Sequence, residues 1–229
     1  MLSAVSHIAY VLIIQKSLDR LQIKLYPNYL VLTGIRKNVL VVRIHGLPPD
    51  LYLKDACTDV TTLSPEQCPL LAENMLCIVS RLCEFYISTE PVYGPLSHFS
   101  LIVFHSFEHL KGFAGVYQVP VYPAQTDRLG HSFTRTHEFV TAIGTRPVIM
   151  CMGMTGYRAV WLEHRWENEE YKLWNATFRP GGAAIVDLLV PPHHPLPFEA
   201  QMIASLSFEE ATGRVCVGLR TGAVYILEF

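Results

Sequence analysis

The sequence predicts an all-β fold, specifically a partial or small β-propeller of about four to five four-stranded antiparallel blades. Short runs of alternating apolar and polar residues recur along the 229 residues. The last 29 residues form three such runs separated by two glycine-bearing turns, which is typical of a β-meander. An internal resemblance between residues 31–42 and 215–226 indicates a repeat. We therefore expect residues 1–229 to form a single propeller-like domain.

The final meander justifies the fold class most directly, because a side-chain period of two is what a pleated strand imposes. The residues that this period places on one face of its first run are Met202, Ala204, Leu206 and Phe208. The third run, 223–229, is apolar on both faces apart from Glu228. A strand packed between neighbouring blades is expected to show this pattern.

Turn residues support the same architecture. The two similar segments lie 184 residues apart, or four steps of 46, close to the ~40–45 residues of one propeller blade. Glycine supplies the positive φ that tight hairpins need, and asparagine is its usual substitute. The residues expected at structural turns are Gly34, Asn38, Gly156, Gly213 and Gly222.

Fourteen strand-like runs are predicted in chain order. They lie near residues 8–14, 22–33, 39–44, 76–88, 98–107, 113–122, 138–143, 147–153, 157–165, 171–178, 184–190, 202–208, 214–220 and 223–229. Two segments interrupt the rhythm. Residues 45–75 carry four prolines and little alternation, which predicts a long loop or insertion, and the proline-rich residues 190–198 predict an extended connector, since proline lacks the amide donor.

Composition limits the classes of partner. The formal net charge is −2, so no basic field points to nucleic acid or to an anionic membrane surface. No run approaches the roughly 18 apolar residues of a membrane-spanning helix. The six cysteines form no C-x-x-C pair. We expect reduced thiols in an intracellular protein, cytoplasmic or nuclear, without a nucleic-acid or membrane partner.

No motif in the sequence selects a reaction. No H-x-x-x-H lies on a predicted helix, and the ten histidines are expected at the surface or in capping positions. The acidic cluster at 163–170 is expected to form a solvated hairpin tip, and most aromatics at 157–174 to fill the space between blades. Trp166, beside the charged tip, is the weak candidate for an exposed binding residue. We expect no catalytic residue, no metal and no cofactor, and therefore not an enzyme.

Two segments carry a family resemblance. Residues 208–229 have the pattern Phe-Glu-Glu-Ala-Thr-Gly-Arg-Val-Cys-Val-Gly, then a Gly-bearing turn and Val-Tyr-Ile-Leu-Glu-Phe. Residues 153–165 read Gly-Met-Thr-Gly-Tyr-Arg-Ala-Val-Trp-Leu-Glu-His-Arg. Both segments resemble the C-terminal β-propeller-like, degenerate WD-repeat region of fungal F-box proteins. The resemblance extends over residues 138–229 and only loosely over 22–44.

The resemblance implies a non-catalytic protein–protein recognition role, as the substrate-receptor part of a ubiquitin ligase. In that family an F-box docks on the adaptor of a cullin-based ligase. Leu47-Pro-Pro-Asp-Leu51 echoes the opening of an F-box, but Pro65 and Pro69 interrupt the segment after it and no F-box is detected. We therefore expect a truncated product or a paralogue that keeps the propeller end, with an adaptor partner only if an F-box lies upstream. The alternatives are a propeller enzyme acting on glycans and a non-functional remnant.

Overall fold

The structure is a computed structural model. It describes residues 10–11, 18–26, 28–47, 61–62, 68–78, 82–88, 98–107, 110–121, 133–191 and 193–228. Contacts divide the chain into two compact units. Unit 1 comprises residues 1–77 and 121–132, and unit 2 comprises residues 78–120 and 133–229. The single domain expected over residues 1–229 stays a prediction.

Unit 1 contains one four-stranded antiparallel sheet, sheet 1, with the strand order β2-β3-β4-β6. Its strands are β2 (Asp19–Leu25), β3 (Tyr29–Arg36), β4 (Val39–Gly46) and β6 (Leu70–Cys77). A separate two-residue parallel pair joins β1 (Tyr10–Val11) to β5 (Thr61–Thr62). The centre of sheet 1 is fully buried, because β3 and β4 carry near-continuous aliphatic runs. Its least exposed residues are Val31, Leu32, Leu40, Val41, Val42 and Ile44.

Unit 2 contains three sheets of consecutive antiparallel strands. Sheet 2 consists of β7 (Leu82–Ile87), β8 (His98–Ser106), β9 (Lys111–Pro120) and β10 (Thr134–Ile143). Sheet 3 consists of β11 (Thr145–Met152), β12 (Arg158–Arg165), β13 (Glu170–Phe178) and β14 (Ala184–Leu188). Sheet 4 consists of β15 (Ile203–Glu209), β16 (Arg214–Leu219) and β17 (Val224–Glu228).

The expected all-β class is confirmed. The four main sheets are antiparallel with three or four strands each, and a single turn of 3-10 helix at Ala200–Met202 is the only helical element in the described ranges. Each sheet of unit 2 is a meander, since every strand pairs with its neighbours in sequence. The arrangement of such sheets as propeller blades stays a prediction.

Two hydrophobic clusters hold the sheets of unit 2 together. The first lies between sheets 2 and 3, where Phe104 and Phe139 pack around the buried Trp161. The second lies between sheets 3 and 4, and its buried members include Leu162, Val215 and Val217. Burying one such aliphatic side chain stabilises a fold by about 1.5–3 kcal/mol. The two clusters therefore fix the positions of the turns that connect these strands.

Three boundaries predicted from the sequence are wrong. The run 22–33 is two strands, because the chain turns between β2 and β3, with mutual backbone hydrogen bonds between Tyr26 and Tyr29 of 2.8 and 3.3 Å. The run 76–88 is also two strands, β6 and β7, which belong to different units. The predicted insertion at 45–75 is too long, because β4 continues to Gly46 and β6 begins at Leu70 and pairs with β4.

The proline-rich segment at 190–198 follows the end of β14 at Leu188 and precedes β15. Its described residues form turns without strand pairing. Leu196 and Phe198 nevertheless pack on the cluster between sheets 3 and 4. The connector thus contributes apolar surface to the core of unit 2.

Four of the predicted turn residues have positive φ in turns, with values of 63° for Asn38, 73° for Gly156, 71° for Gly213 and 87° for Gly222. Gly34 does not lie in a turn, so the prediction for this residue is wrong. It lies inside β3, and a Cβ atom there would approach Leu18 Cβ to 2.7 Å. Close packing therefore explains this glycine, whereas the turn after β3 is made by Lys37 and Asn38, both with positive φ.

Candidate functional site

The candidate site is a pocket of about 290 Å³ at one end of sheets 2 and 3, within unit 2. Sheet 2 contributes the start of β8, the end of β9 and the start of β10. Sheet 3 contributes the β11–β12 turn and the segment after β13. The antiparallel pairing brings these pieces together, because His98 lies opposite Pro120 and Thr134 lies opposite Gln118. We call it the inter-sheet pocket.

The lining combines rings with uncharged polar groups. It is formed by His98, Ser100, Val116, Gln118, Thr136, His137, Gly156, Tyr157, Phe178, Pro180 and Gly181. No described residue in this lining carries a carboxylate, ammonium or guanidinium group. Ligand pockets typically pair apolar walls with a few polar groups that fix orientation. This chemistry suits an uncharged polar or aromatic group, and the titratable side chains of the lining are His98, His137 and Tyr157.

His137 joins the two sheets beneath the pocket. It is 8% exposed, although the sequence predicts surface or capping histidines. Its Nε2 donates to the backbone carbonyl of Arg179 at 2.8 Å, and its Nδ1 lies 3.1 Å from Thr136 Oγ1. The ring also packs against Phe178, with centroids 5.6 Å apart. The hydrogen bond to Arg179 spans 42 residues in sequence, so no local pattern could reveal it.

His105 is a second histidine that the structure buries, with 2% exposure. Its ring stacks on Phe113 with centroids 4.4 Å apart. Burial lowers the pKa of His105, and the Coulomb attraction of Glu138 opposes that shift. His105 therefore belongs to the core of sheet 2. His109 and His131 lie outside the described residues.

The turn at residues 153–157 forms one wall of the pocket and is fixed from sheet 4. The backbone N–H and the hydroxyl of Thr155 donate to the Glu210 carboxylate at 2.8 and 2.7 Å. Arg158 Nη1 donates to the Glu210 carbonyl at 3.1 Å. Gly156 approaches Ser100 so closely that a Cβ atom would overlap the serine hydroxyl. These contacts hold the turn in one conformation.

The fixed turn presents two large side chains to solvent. Met154 is 51% exposed and Tyr157 is 44% exposed. Tyr157 also lines the inter-sheet pocket. Methionine and tyrosine are enriched in the buried parts of protein interfaces. The sequence points to Trp166 and leaves Tyr157 among the expected core aromatics, since alternation alone does not separate Tyr157 from its buried neighbour Trp161.

Trp166 lies on the β12–β13 turn and is partly buried. Its backbone N–H donates to the Gly144 carbonyl at 3.2 Å, and its indole packs against Gly144. Trp161 and Trp174 stack on each other with centroids 6.4 Å apart, and Trp161 is in the core as the sequence predicts. Trp166 does not line the inter-sheet pocket, so the structure does not bring it together with Tyr157.

Glu163 is buried, whereas the sequence predicts that it lies at a solvated hairpin tip. It is 7% exposed, and its carboxylate accepts a hydrogen bond from Trp174 Nε1 at 3.0 Å. Burial raises the pKa of Glu163, while hydrogen bonds from Thr145 and Trp174 act in the opposite direction. The cavity beside it measures about 50 Å³ and also touches Glu170. That volume is far below the ~300 Å³ of small-ligand pockets, so it holds no sugar ring.

The remainder of the acidic cluster is solvated. Glu167 pairs with Arg165 at 2.9 Å, and Glu170 pairs with Lys172 at 2.9 Å. Hydrogen bonds from Lys172 and Asn168 lower the pKa of Glu170. A further cavity of about 380 Å³ lies between β13 and the proline-rich connector, where Tyr171 and Leu196 face each other.

The described ranges show neither a metal-binding cluster nor a membrane-spanning helix. They contain no group of three or more histidine, cysteine or acidic side chains placed to hold a metal ion. The same part of the chain has no helix with the length and apolar character needed to cross a bilayer. Its cysteines, Cys68, Cys77, Cys83, Cys151 and Cys216, form no disulfide. Cys57 lies outside the described residues.

Comparison with known proteins gives no relative. No family model matches the chain, and neither a curated protein nor a solved structure matches it. The site is therefore interpreted from its own geometry.

Proposed function

We propose that this chain is a non-catalytic protein–protein recognition module whose target binds at the inter-sheet pocket and the 153–157 turn. The observation that carries the proposal is the pair of exposed side chains, Met154 and Tyr157, on a turn fixed by Glu210 beside a ring-lined pocket. Interface hot spots are commonly aromatic side chains held rigidly next to a pocket. Holding the turn rigid before binding lowers the entropy cost of binding.

The resemblance to fungal F-box proteins gives this proposal a more specific form. The chain would act as the receptor part of a ubiquitin ligase in the cytoplasm or nucleus, and the inter-sheet pocket would select the ligase target. Binding at connecting turns fits this role, because a rigid β scaffold commonly presents its recognition residues on turns. Docking on the cullin adaptor is not assigned to any residue of the described sheets.

Site-specific photocrosslinking tests the recognition surface. A benzophenone amino acid replaces Tyr157 in one variant and the exposed Val140 of β10 in a control, in cells of the source organism. We expect discrete protein adducts from position 157 that are absent from position 140. A Tyr157→Ala variant should fold normally and lose the same partner in quantitative affinity purification. Identical adduct patterns at both positions would contradict the proposed surface.

Recovery of ligase components tests the receptor role separately. Recognition by this chain alone predicts that the target is recovered without the adaptor and the cullin. Recovery of both components with the purified chain would show that it also docks on the ligase.

A further inference from the structure

Among the described strands, the outer edge of sheet 4 has no pairing partner. Within the described residues, β17 pairs only with β16. At the turn between them, Leu219 N donates to the Ala223 carbonyl and Gly222 N donates to the Leu219 carbonyl, each at 2.9 Å. Antiparallel alternation then gives Tyr225 and Leu227 the hydrogen bonds to β16. The residues whose backbone N–H and C=O groups point outward are Val224, Ile226 and Glu228.

This edge lacks the features with which proteins usually prevent strand pairing. Bulges, proline, lysine and inward charges are the common protections. The outer strand of sheet 2, β10, has two register shifts and carries Arg135 and Glu138. By contrast, β17 pairs with β16 without a shift and contains neither proline nor lysine. Its outward face exposes Val224 and Ile226, at 65% and 67%.

We propose that a second copy of this chain pairs with β17, edge to edge and antiparallel, about a two-fold axis at Ile226. In this register Ile226 lies opposite Ile226 of the second copy, and Val224 lies opposite its Glu228. Outward N–H and C=O groups of one copy then meet those of the other in six main-chain hydrogen bonds, two for each of three residue pairs. The partner is an extended strand, since only a strand matches this spacing.

For a second copy, the charge pattern favours the antiparallel over the parallel sense of pairing. Glu228 is the single charge of β17 and keeps its own counter-ion, because Arg214 Nε lies 2.8 Å from its carboxylate. Antiparallel pairing places this carboxylate opposite an aliphatic side chain. A parallel pairing in register would place two Glu228 carboxylates side by side, and like charges directly opposite are destabilising. The interface is small, so a Kd on the order of 1–100 μM is expected.

Sedimentation equilibrium of the purified chain with two matched lysine variants tests this inference. Ile226→Lys places two ammonium groups directly opposite each other and removes the central apolar pair. We expect it to raise the dimer Kd by at least about tenfold. Val224→Lys places an ammonium group opposite Glu228 of the second copy, so its dimer should persist. Val140→Lys on β10 controls for a general effect of added charge, and circular dichroism checks that each variant folds.

The results distinguish a second copy of this chain from a different partner at the edge of β17. Unchanged dimerisation of Val224→Lys and Val140→Lys relative to the wild type, with a dimer Kd of Ile226→Lys raised at least about tenfold, supports the two-fold pair. A wild-type chain that remains monomeric at 200 μM, a roughly twofold excess over the weakest expected Kd, contradicts the pair and leaves the edge to a different partner. Equal effects of all three substitutions, or open-ended polymers, would also overturn it.

Discussion

Single buried polar groups give the most specific expectations, and Glu163 is the first. Burial raises the pKa of Glu163 in the folded protein. A raised folded pKa means that stability is highest below the unfolded pKa and falls as the pH rises through the folded value. Glu163→Gln keeps an acceptor for Trp174 Nε1 and removes this dependence of stability on pH. Its melting temperature relative to the wild type should therefore increase between pH 4 and pH 8.

Glu163→Ala is the control for that series. It leaves the indole N–H of Trp174 without its acceptor and should be less stable than Glu163→Gln by about 1–3 kcal/mol at every pH. A difference between wild type and Glu163→Gln that stays constant across the pH range would show that the carboxyl is not titrating in a buried site.

For Thr33, removal of a polar group is expected to stabilise the fold rather than destabilise it. Thr33 is 1% exposed, and its hydroxyl has no hydrogen-bond partner in the described part of the chain. Thr33→Val replaces an unpaired hydroxyl by a methyl group and should stabilise the fold by about 1 kcal/mol. Thr145→Val removes a hydroxyl that donates to the Ala142 carbonyl at 3.0 Å and should destabilise it by a similar amount. Chemical denaturation of both variants measures the two changes, and a destabilised Thr33→Val would be the contrary result.

Two turn glycines separate backbone strain from steric overlap. Both have positive φ, but a Cβ atom would meet nothing within 4 Å at Gly222 and would overlap Ser100 at Gly156. Gly222→Ala should therefore cost only the left-handed backbone penalty of about 1–2 kcal/mol. Gly156→Ala should cost more, and thermal unfolding compares the two. Equal losses would mean that the turn moves away from Ser100 at little cost.

At the scale of elements, the turn at 153–157 depends on one carboxylate from sheet 4. Glu210→Ala removes both hydrogen bonds to Thr155 and should destabilise the chain by about 0.5–1.5 kcal/mol. Amide hydrogen exchange should accelerate at Thr155 and leave the strands protected. Glu199→Ala, which removes a bond to the Gln201 side chain alone, is the matched control. Unchanged exchange in the Glu210 variant would show that the turn is fixed without the carboxylate.

The last sheet shows how far a sequence pattern predicts an element. The meander, its Gly-bearing turns and the alternation of β16 follow from the sequence, because Val215 and Val217 are buried and Cys216 is exposed. The start of β15 does not follow, although Leu206 and Phe208 pack on the core as predicted. A bulge shifts the register between Ile203 and Ser205, so Ile203 joins the core and Ala204 is exposed. A strict period of two predicts the reverse, since a bulge leaves no signal in the alternation.

The third strand of that sheet differs from its expectation for another reason. Apolar residues on both faces of 223–229 predict a strand covered on both sides. In the structure Tyr225 and Leu227 pack inward, whereas Val224 and Ile226 are exposed. An apolar composition predicts that a strand face is buried, but it does not identify the group that buries it. The proposed dimer occupies the backbone edge of β17, which is distinct from this exposed face.

At the scale of the whole molecule, the local sequence pattern predicts where the strands lie, whereas contacts between distant residues form the candidate site. Eleven of the strands, β4 and β8 to β17, each lie near one predicted run because each carries its own alternation or apolar run. The inter-sheet pocket depends on residues brought from five segments of the chain, and the pairing of β4 with β6 spans a proline-bearing stretch. Neither arrangement has a local signal. Tyr157 and Glu210 are functional candidates only because the folded sheets bring their turns together.

Consecutive strands pair as antiparallel meanders, and this pairing fixes the turns of the candidate site. Nuclear Overhauser contacts between Hα atoms report the pairing, since Hα atoms approach closely only at non-hydrogen-bonded antiparallel pairs. We expect contacts between Cys216 and Ile226 and between Arg214 and Glu228. Contacts shifted by one or more residues, or none between these strands, would contradict it.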